Sequence, residues 1–398
     1  MSELDQRVVH IVSSVSRLAG GVAPVVWSLA SYQRSLGFES SIATLHDCYT
    51  DEDVRICDNR VPVYAGRTRW PRSFAYSSDL RRYLSSECRD VDIVHVHGLW
   101  EYTSVAARRH AGRFGIPLIA STHGMLKAGA LNIHRGRKMV VGWLFQNRVL
   151  RSAACLHATA VPELDSIRQY GLTNPVAIIP NGLNVTEYAS DVDRSPLDER
   201  WPELHGKRII LFLSRIHPIK GVVNLAFAWG RLCQRYKDWH LVIAGPDCDN
   251  HEAEVRQVLA TAGASAHVTF CGPVYGRAQK DLYAACDLFI LPTRSENFGI
   301  VVAEALASSK PVITTRGTPW QELETRQCGW WIDIGIDPLE TAMKDAMDLS
   351  DGQRRAMGLR GRQLVEENYS WPKIAKKMID VYRWVLGPGP AHTKFLFR

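Results

Sequence analysis

The chain has 398 residues, 46% hydrophobic and 22% charged, an ordinary globular composition that is long enough for two domains. No apolar run approaches the roughly 20 residues of a membrane-spanning helix, and the polar start lacks the pattern of a secretory signal, so we expect a cytoplasmic protein. The nine cysteines show no Cys-x-x-Cys and no zinc-like spacing, which argues against a disulfide scaffold or structural zinc.

The net charge of +7 is concentrated in one stretch of the first half. Between Arg67 and Arg151 there are 15 basic and 5 acidic residues, a local net charge of +10. Such a stretch suits an anionic partner, namely a phospholipid surface, a diphosphate or nucleic acid, and equally a solvated basic face. Because no recognised nucleic-acid-binding module occurs here, nucleic acid is not expected as a partner.

Short apolar, β-branched runs alternate with amphipathic stretches along the whole chain, a pattern typical of βαβ units and parallel sheets. The predicted strands are Val8–Val12, Ser41–Leu45, Asp92–His97, Leu118–Thr122, Cys155–Ala160, Ala177–Pro180, Arg208–Ser214, His240–Ala244, Val268–Cys271, Leu288–Leu291 and Val312–Thr315. The fold class is therefore α/β, with two Rossmann-like, doubly wound parallel sheets. Ligands of such sheets bind at the carboxyl ends of the strands, so we expect the two domains to face each other across a cleft.

The polar, proline-containing segment 186–206 predicts a linker between these domains. The expected organisation is an amino-terminal domain at 1–185, a second domain at 207–370, and a last helix within 371–398. Gly387-Pro388-Gly389-Pro390 should end that helix before an unstructured tail.

Gly20 and Gly21 follow the first strand and precede a predicted helix, where they could let the backbone approach a phosphate. A tight turn explains the pair equally well. Neither Gly-x-Gly-x-x-Gly nor a Gly-Lys-Ser/Thr loop occurs in the chain, which removes most support for a dehydrogenase or a P-loop enzyme.

Arg215 and Lys220 follow the first strand of the second half. A planar guanidinium and a mobile ammonium suit the oxygens of a diphosphate, although a solvated surface pair would look the same in sequence.

The most specific segment runs from Ser295 to Ala305. A helix predicted at 298–308 begins just beyond Glu296, so its first N–H groups could meet a diphosphate while Glu296 holds sugar hydroxyls. Glu304 lies a turn inside the helix among apolar residues, where an ionised carboxylate needs donors. A ribose diol, a backbone N–H or an arginine could each supply them.

Together, Gly20-Gly21, Ser214-Arg215 with Lys220-Gly221, and the Glu296-x7-Glu304 element resemble family 4 of the retaining GT-B glycosyltransferases over nearly the whole chain. The segments 97–100, 121–126 and 317–322 resemble the branch that builds bacterial surface polysaccharides. The family often has Gly-Gly-x-Pro-Glu after the last strand, whereas this chain has Arg316-Gly317-Thr318-Pro319-Trp320.

The resemblance implies a nucleoside-diphosphate sugar as donor, a saccharide or polyprenyl-diphosphate-linked acceptor, and no cofactor. It implies that Arg215 and Lys220 bind the diphosphate, Glu296 the donor sugar and Glu304 the ribose, and that His123 reaches the transferred sugar. The catalytic residues are then His123, Arg215, Lys220 and Glu296. The donor-binding residues are Gly20, Gly21, Asn297, Phe298, Gly299, Ile300 and Glu304.

The resemblance implies a retaining transfer in which the departing diphosphate can itself take the proton of the acceptor, so neither paired carboxylates nor a metal is expected. Asp247 and Asp249 follow a strand end and are the alternative that a metal would use. Other readings are a GT-B sugar-nucleotide epimerase, a phosphorylase, or a non-enzymatic sugar-binding protein.

The segment 135–151 has basic ends around an apolar, aromatic middle, as an interfacial helix does. It could dock on an anionic membrane at the cytoplasmic face, or equally pack its apolar side into the core of the first domain.

Overall fold

A computed structural model of the chain describes residues 6–16, 21–45, 60–69, 74–188, 195–387 and 396–397. The chain divides into two compact units. Unit 1 comprises Met1–Gly182 and Trp371–Arg398, and unit 2 comprises Leu183–Ser370.

Within its described residues, unit 1 contains one sheet of eight strands in the order β14-β7-β6-β5-β4-β1-β2-β3. The strands are β1 (Arg7–Val12), β2 (Glu39–Leu45), β3 (Val63–Gly66), β4 (Ile93–His97), β5 (Leu118–Ser121), β6 (Cys155–Ala158), β7 (Val176–Ile178) and β14 (Leu396–Phe397). The helices are α1 (Val22–Ser35), α2 (Ser78–Glu87), α3 (Tyr102–Phe114), α4 (Ala128–Asn132), α5 (Arg135–Val141), α6 (Asn147–Ser152), α7 (Val161–Gln169) and α16 (Trp371–Leu386), with a π-helical turn at Gly142–Gln146. All strand pairs are parallel except β14 with β7.

Unit 2 contains a parallel sheet of six strands in its described part, in the order β10-β9-β8-β11-β12-β13. The strands are β8 (Arg208–Leu213), β9 (Trp239–Ala244), β10 (Val268–Gly272), β11 (Leu288–Leu291), β12 (Val312–Thr315) and β13 (Gly329–Ile332). The helices are α8 (Ser195–Arg200), α9 (Val222–Leu232), α10 (His251–Thr261), α11 (Arg277–Ala285), α12 (Ile300–Ala307), α13 (Glu322–Thr325), α14 (Ile336–Asp348) and α15 (Asp351–Asn368). Short 3-10 turns lie at Val185–Glu187, Pro202–Leu204, Pro218–Lys220 and Ser265–His267.

The continuous apolar runs formed strands because helices cover both faces of each sheet. Every residue from Ile209 to Phe212 on β8 is fully buried, as is every residue from Leu288 to Leu291 on β11. All eleven predicted strands are present, with ends shifted by at most two residues. The α/β class with two parallel sheets is confirmed.

Three strands were not predicted from sequence. β3 and β13 are four residues long and mostly half-buried, and β13 opens with a glycine and two tryptophans, so neither reads as a continuous β-branched run. The prediction of an unstructured tail was wrong at Leu396–Phe397, which pair with Ala177 and Val176. An edge strand such as β7 presents unpaired backbone groups that a tail can satisfy.

The segment 186–206, expected as a linker, belongs to unit 2, and its residues 189–194 lie outside the described part of the chain. Its described residues include helix α8, the 3-10 turn Pro202–Leu204 and most of the turn Val185–Glu187. Its apolar residues Leu197 and Leu204 are buried in the core of that unit. The chain crosses between units at residues 182/183 and 370/371.

Helix α16 belongs to unit 1, where it packs beside α1. Trp371 stacks on Tyr32 with ring centroids 6.2 Å apart, and the Tyr382 ring is fully buried. A helix more than 180 residues distant in sequence therefore completes the core of the first sheet.

Candidate active-site residues

Three loops of unit 2 meet at the carboxyl ends of the neighbouring strands β8, β11 and β12. The Arg294 N–H donates to the Ile219 carbonyl at 2.7 Å, which ties the β11 loop to the β8 loop. The Glu296 N–H donates to the Gly317 carbonyl at 2.8 Å, which ties it to the β12 loop. Sequence-predicted site residues 75 or more positions apart are thus held on one edge of one sheet.

Lys220 and Glu296 form an ion pair on this edge. The Lys220 ammonium donates to Oε1 of Glu296, and the two side chains are only 11% and 15% exposed. A charge pair removed from water to this degree is costly unless its groups also serve a ligand or further donors. The structure therefore places a cation and a carboxylate side by side in a pre-set position.

Gly221 allows this approach. Its φ is +70°, and a Cβ there would lie 2.0 Å from the carbonyl oxygen of Pro292. Any other residue would push the Lys220 loop away from β11, since only glycine adopts this conformation without a steric cost.

Arg215 is exposed on the same β8 loop, and His217 follows it. The His217 ring accepts a hydrogen bond from the Ile219 N–H at 3.1 Å. Partial burial lowers the pKa of His217, and the positive charges of Arg215 and Lys220 lower it further. The loop thus presents two cations beside a histidine whose protonated form they disfavour.

Glu304 lies on α12, and its carboxylate accepts three side-chain hydrogen bonds. Tyr188 donates to Oε1 at 3.0 Å, while Tyr283 and Gln279 donate to Oε2 at 2.8 and 3.2 Å. Burial raises the pKa of Glu304, and these hydrogen bonds oppose the rise. The sequence analysis missed Tyr188, Tyr283 and Gln279, because nothing in their local pattern marks them as partners of a distant carboxylate.

The residues leading into α12 divide into two kinds. Phe298 is buried between the rings of Trp320 and Tyr369, at centroid distances of 5.3 and 5.6 Å, so its side chain belongs to the core. Asn297 and Glu296 are half-buried at the surface edge. The helix begins at Ile300, two residues later than predicted, because Gly299 adopts the left-handed conformation with φ +76°.

Trp320, in the loop after β12, packs beneath the loop that carries Glu296. Its indole N–H donates to the Phe298 carbonyl at 2.7 Å, and the ring is fully buried. Trp320 thereby braces the loop that carries Glu296.

His123 lies in unit 1, in the loop after β5, with an unusual φ of +46°. The fully buried Glu163 anchors this loop by accepting from the Thr122 hydroxyl and the Gly124 N–H, both at 2.5 Å. Burial alone would raise the pKa of Glu163, but the hydrogen bonds from Thr122, Thr159 and Gly124 outweigh it and lower the pKa. Glu163 is a positioning residue that the sequence analysis did not single out.

His123 contacts a group of buried histidines inside the same sheet. His97 Nδ1 lies 3.2 Å from His123 Nε2, and His97 Nε2 lies 2.9 Å from His10 Nδ1. Burial lowers the pKa of His10 and of His123 to about 4, and that of His95 and His97 well below the usual value. The group was not predicted from the sequence, although the His-x-His pattern of His95 and His97 on β4 could have indicated it, since alternate residues of a strand share a face.

The remaining predicted positions lie elsewhere. Gly20 is outside the described residues, and Gly21 precedes α1 with φ −69° and open space beside it. Asp247 accepts from the Glu252 N–H at 3.0 Å at the start of α10, and Asp249 has φ +59°.

The segment 135–152 is continuously helical, through α5, a π-turn and α6. Trp143 is 77% exposed, and Met139, Val140 and Leu144 are exposed beside it, whereas Val149 and Leu150 are buried in the core of unit 1. The end of the segment therefore packs into the core of unit 1, as one of the two interpretations expects, and its middle is exposed; membrane docking stays a prediction. Among the described residues, no helix is long and apolar enough to span a bilayer.

Comparison with known protein families and structures matches both units. Residues 20–182 match the glycosyl transferase 4-like domain, and residues 193–364 match glycosyl transferases group 1.

Two relatives align over most of their length. The GDP-mannose:cellobiosyl-diphosphopolyprenol alpha-mannosyltransferase of Xanthomonas campestris is 24% identical over 96% of this chain and 97% of its own. The D-inositol 3-phosphate glycosyltransferase of Xylanimonas cellulosilytica is 28% identical over 75% of this chain and 73% of its own.

Solved structures share the fold. Anabaena HepE in complex with UDP and glucose superposes with a TM-score of 0.76 at 16% identity, covering 95% of this chain and all of that one. Sucrose-phosphate synthase from Thermosynechococcus elongatus gives a TM-score of 0.76 at 17% identity, covering 96% and 99%. With both units matched and the fold shared end to end, this chain belongs to the family 4 glycosyltransferases of the GT-B fold.

Proposed function

We propose that this glycosyltransferase moves a hexose from a nucleoside-diphosphate sugar to a lipid-linked saccharide, with retention of anomeric configuration and without a metal, in surface polysaccharide synthesis. The observation that carries the proposal is the buried Lys220–Glu296 pair, with Arg215 on the same loop and Glu304 on the helix that follows. The Xanthomonas campestris relative is named for transfer from GDP-mannose to a cellobiosyl-diphosphopolyprenol acceptor, which supports this class of donor and acceptor.

Each group has a chemical role in that reaction. Lys220 and Arg215 neutralise the diphosphate, whose bond to the anomeric carbon breaks while negative charge builds on its oxygen. Glu296 accepts hydrogen bonds from donor-sugar hydroxyls, and Glu304 accepts them from the ribose. The acceptor oxygen bonds to the anomeric carbon on the same face, and its proton passes to the departing diphosphate.

The deciding experiment has two stages. A thermal-shift screen of UDP, GDP, ADP and dTDP sugars identifies the donor, and release of nucleoside diphosphate is then measured with and without a polyprenyl-diphosphate-linked saccharide. Acceptor-dependent release with a retained anomeric configuration, read by NMR of the product, is the expected result. Conversion of the sugar nucleotide without acceptor would indicate an epimerase, and phosphate-dependent release a phosphorylase; either would overturn the proposal.

We further propose that the outward-facing part of 135–152 docks unit 1 on an anionic membrane, where a lipid-linked acceptor resides. The exposed Trp143 and Met139 supply apolar contact, and the exposed Arg135 and Arg137 supply positive charge on the preceding turns. The half-buried Lys138 adds a charge that also donates a hydrogen bond to the Ala130 carbonyl. Each basic residue near such a surface contributes about 1 kcal/mol, so three together change binding on the order of 100-fold.

Liposome flotation tests this docking. Binding should require anionic lipid, fall with salt, and drop when Arg135, Arg137 and Lys138 are replaced by Gln. The matched control replaces the exposed Arg81, Arg82 and Arg89 of the same unit, which removes equal charge elsewhere and should leave binding unchanged. Equal losses in both variants, or equal recovery on neutral and anionic vesicles, would exclude docking through this segment.

A further inference from the structure

We propose that one continuous chain of hydrogen bonds, beginning at the Ile179 carbonyl, fixes His123 as a neutral ring with its proton on Nε2 and a lone pair on Nδ1. His97, His10 and Gln33 are then positioning residues that act through His123. The contact of His123 with sugar rests on the function proposed above, whereas the direction of the hydrogen bonds does not.

The chain starts at a group that can only accept. His157 Nε2 lies 2.8 Å from the Ile179 carbonyl oxygen, so this nitrogen carries the proton and His157 Nδ1 has the lone pair. Ser121 Oγ, 2.7 Å away, must donate its one hydrogen to His157 Nδ1. Because its only hydroxyl hydrogen is used in that bond, Ser121 Oγ accepts a hydrogen bond from His95 Nε2 at 2.7 Å.

The next hydrogen bonds of the chain involve two side chains from helices that are distant in sequence, Tyr382 on α16 and Gln33 on α1. Because His95 donates from Nε2, its Nδ1 accepts from the Tyr382 hydroxyl at 2.6 Å. The Tyr382 oxygen in turn accepts from the Gln33 amide N–H at 3.3 Å. This orients the amide, so that Gln33 Oε1 faces His10 and also accepts from Ser40 at 2.8 Å.

The last links lead to His123. His10 Nε2 donates to Gln33 Oε1 at 2.8 Å, so His10 Nδ1 accepts from His97 Nε2 at 2.9 Å. His97 Nδ1 then accepts from His123 Nε2 at 3.2 Å. A single backbone carbonyl thereby sets the tautomer of five histidines, and each has its proton on Nε2.

Burial keeps these rings neutral. His10, His95, His97 and His157 are at most 4% exposed, and desolvation is the first cause of the lowered pKa of each. An added proton would also set two N–H groups against each other somewhere along the chain.

A metal ion is the competing interpretation of part of this group. Ring nitrogens of His10, His95 and His97 lie within 4.8 Å of one another, close enough for a shared ion. Each of these rings has one lone pair, and the hydrogen-bond chain already uses it. Binding a metal would therefore break links of the chain and release the tautomer of His123.

The tautomer selects the kind of ligand that His123 contacts. With a lone pair on Nδ1, the ring accepts a hydrogen bond from a hydroxyl and cannot donate one to a phosphate oxygen. Because its pKa is lowered to about 4, the ring is a weak base, so it orients the hydroxyl without removing its proton. We therefore assign the His123 contact to a neutral sugar hydroxyl.

NMR of the full-length protein with 15N-labelled histidine tests the network directly, since nitrogen shifts distinguish Nε2–H from Nδ1–H. In the wild-type protein at pH 7.5, His10, His95, His97, His123 and His157 should all be neutral Nε2–H rings. A Nδ1–H or charged ring at His10, His97 or His123, or stoichiometric bound zinc, would overturn the proposal. This spectrum decides the question even if a variant fails to fold.

Two substitutions then test the positioning role. His97→Leu removes the acceptor and should give His123 mixed tautomers and a kcat lowered about fivefold, the loss expected for one orienting hydrogen bond, with KM for the donor within about twofold. His97→Gln keeps an acceptor and a donor and should restore both readouts. The control is His110→Gln, a buried histidine bonded to the Cys88 carbonyl outside the network, which should match wild type.

An unchanged His123 tautomer or kcat in His97→Leu would overturn the positioning role. A protein with the expected tautomers but no transferase activity would instead refute the proposed function and leave the network standing.

Discussion

Unit 1 carries its buried histidines on the strands of its sheet, whereas unit 2 carries its site carboxylates and lysine in the loops and the helix beyond the strand ends. In unit 1 the rings are neutral and satisfy one another through hydrogen bonds. In unit 2 the groups are ionisable partners, such as Lys220 with Glu296.

The difference follows from solvation. Inside a parallel sheet covered on both faces, an unpaired charge is costly, but a neutral ring with one donor and one acceptor fits. At the strand ends, loops can supply counter-charges and a ligand can reach them. Two units with the same architecture thus hold different chemistry because they place polar groups at different depths.

The largest expected difference between the two units is in their stability at acidic pH. Unfolded histidine has a pKa of about 6.5, so below that pH the unfolded chain takes up protons that the folded His10 and His123 rings do not take up until about pH 4. Because the pKa of His10 is lowered to about 4, this residue alone should lower the free energy of unfolding by on the order of 3 kcal/mol once the pH has fallen from above 6.5 to about 4. Glu304 acts in the opposite direction, because its raised pKa favours the folded state as pH falls.

Hydrogen exchange measured by mass spectrometry at pH 7.5 and pH 5 should therefore show unit 1 peptides opening before unit 2 peptides. His240→Gln, which removes a histidine of unit 2 whose pKa is also lowered to about 4, should leave the response of unit 1 unchanged. If peptides of unit 2 lost protection from exchange before those of unit 1 on acidification, the proposed difference between the units would be wrong.

Removing the ammonium group of Lys220 in unit 2 should have the next largest effect, a loss of catalytic efficiency. Lys220→Met deletes a preorganised donor to the leaving diphosphate, which corresponds to about 3 kcal/mol or a kcat/KM lowered by roughly two orders of magnitude. Steady-state kinetics with the identified donor measure it. Lys237→Met, at an exposed position of the same unit, is the control, and similar losses in both variants would remove Lys220 from the mechanism.

Substitutions of Glu296 and Glu304 should change different kinetic parameters. Glu296→Ala should lower kcat about tenfold or more because its partner is the reacting sugar, whereas Glu304→Gln should raise the donor KM about tenfold because its partner is the ribose. Circular dichroism of both variants checks folding, since Glu296→Ala leaves Lys220 without its counter-charge. Wild-type kinetics in both variants would mean that donor binds elsewhere.

Chelation should have the smallest effect. Because Lys220 and Arg215 already supply positive charge at the β8 loop, EDTA should leave kcat within about twofold. The assay compares untreated, EDTA-treated and Mn2+-restored enzyme. Complete loss that Mn2+ restores would assign a metal to Asp247 and Asp249.

Sequence alone determined eleven of the fourteen described strands and the ends of the strands at which the candidate site residues lie. Continuous apolar runs predict buried strands, and residues that follow parallel strands lie at one edge of the sheet, so Lys220 and Glu296 could be assigned to the same edge, whereas their direct pairing depends on β8 and β11 being neighbours. These features are local, because strand periodicity and glycine positions are read within a few residues.

Only the tertiary structure decided which groups surround those residues. Tyr188 and Tyr283 reach Glu304 from other elements, and Tyr382 reaches His95 from a helix 287 positions away. Pairings of this kind depend on how separate elements pack, and no local pattern encodes them. The direction of the histidine chain is the clearest case, because it is set by one carbonyl and transmitted through contacts that exist only in the folded sheet.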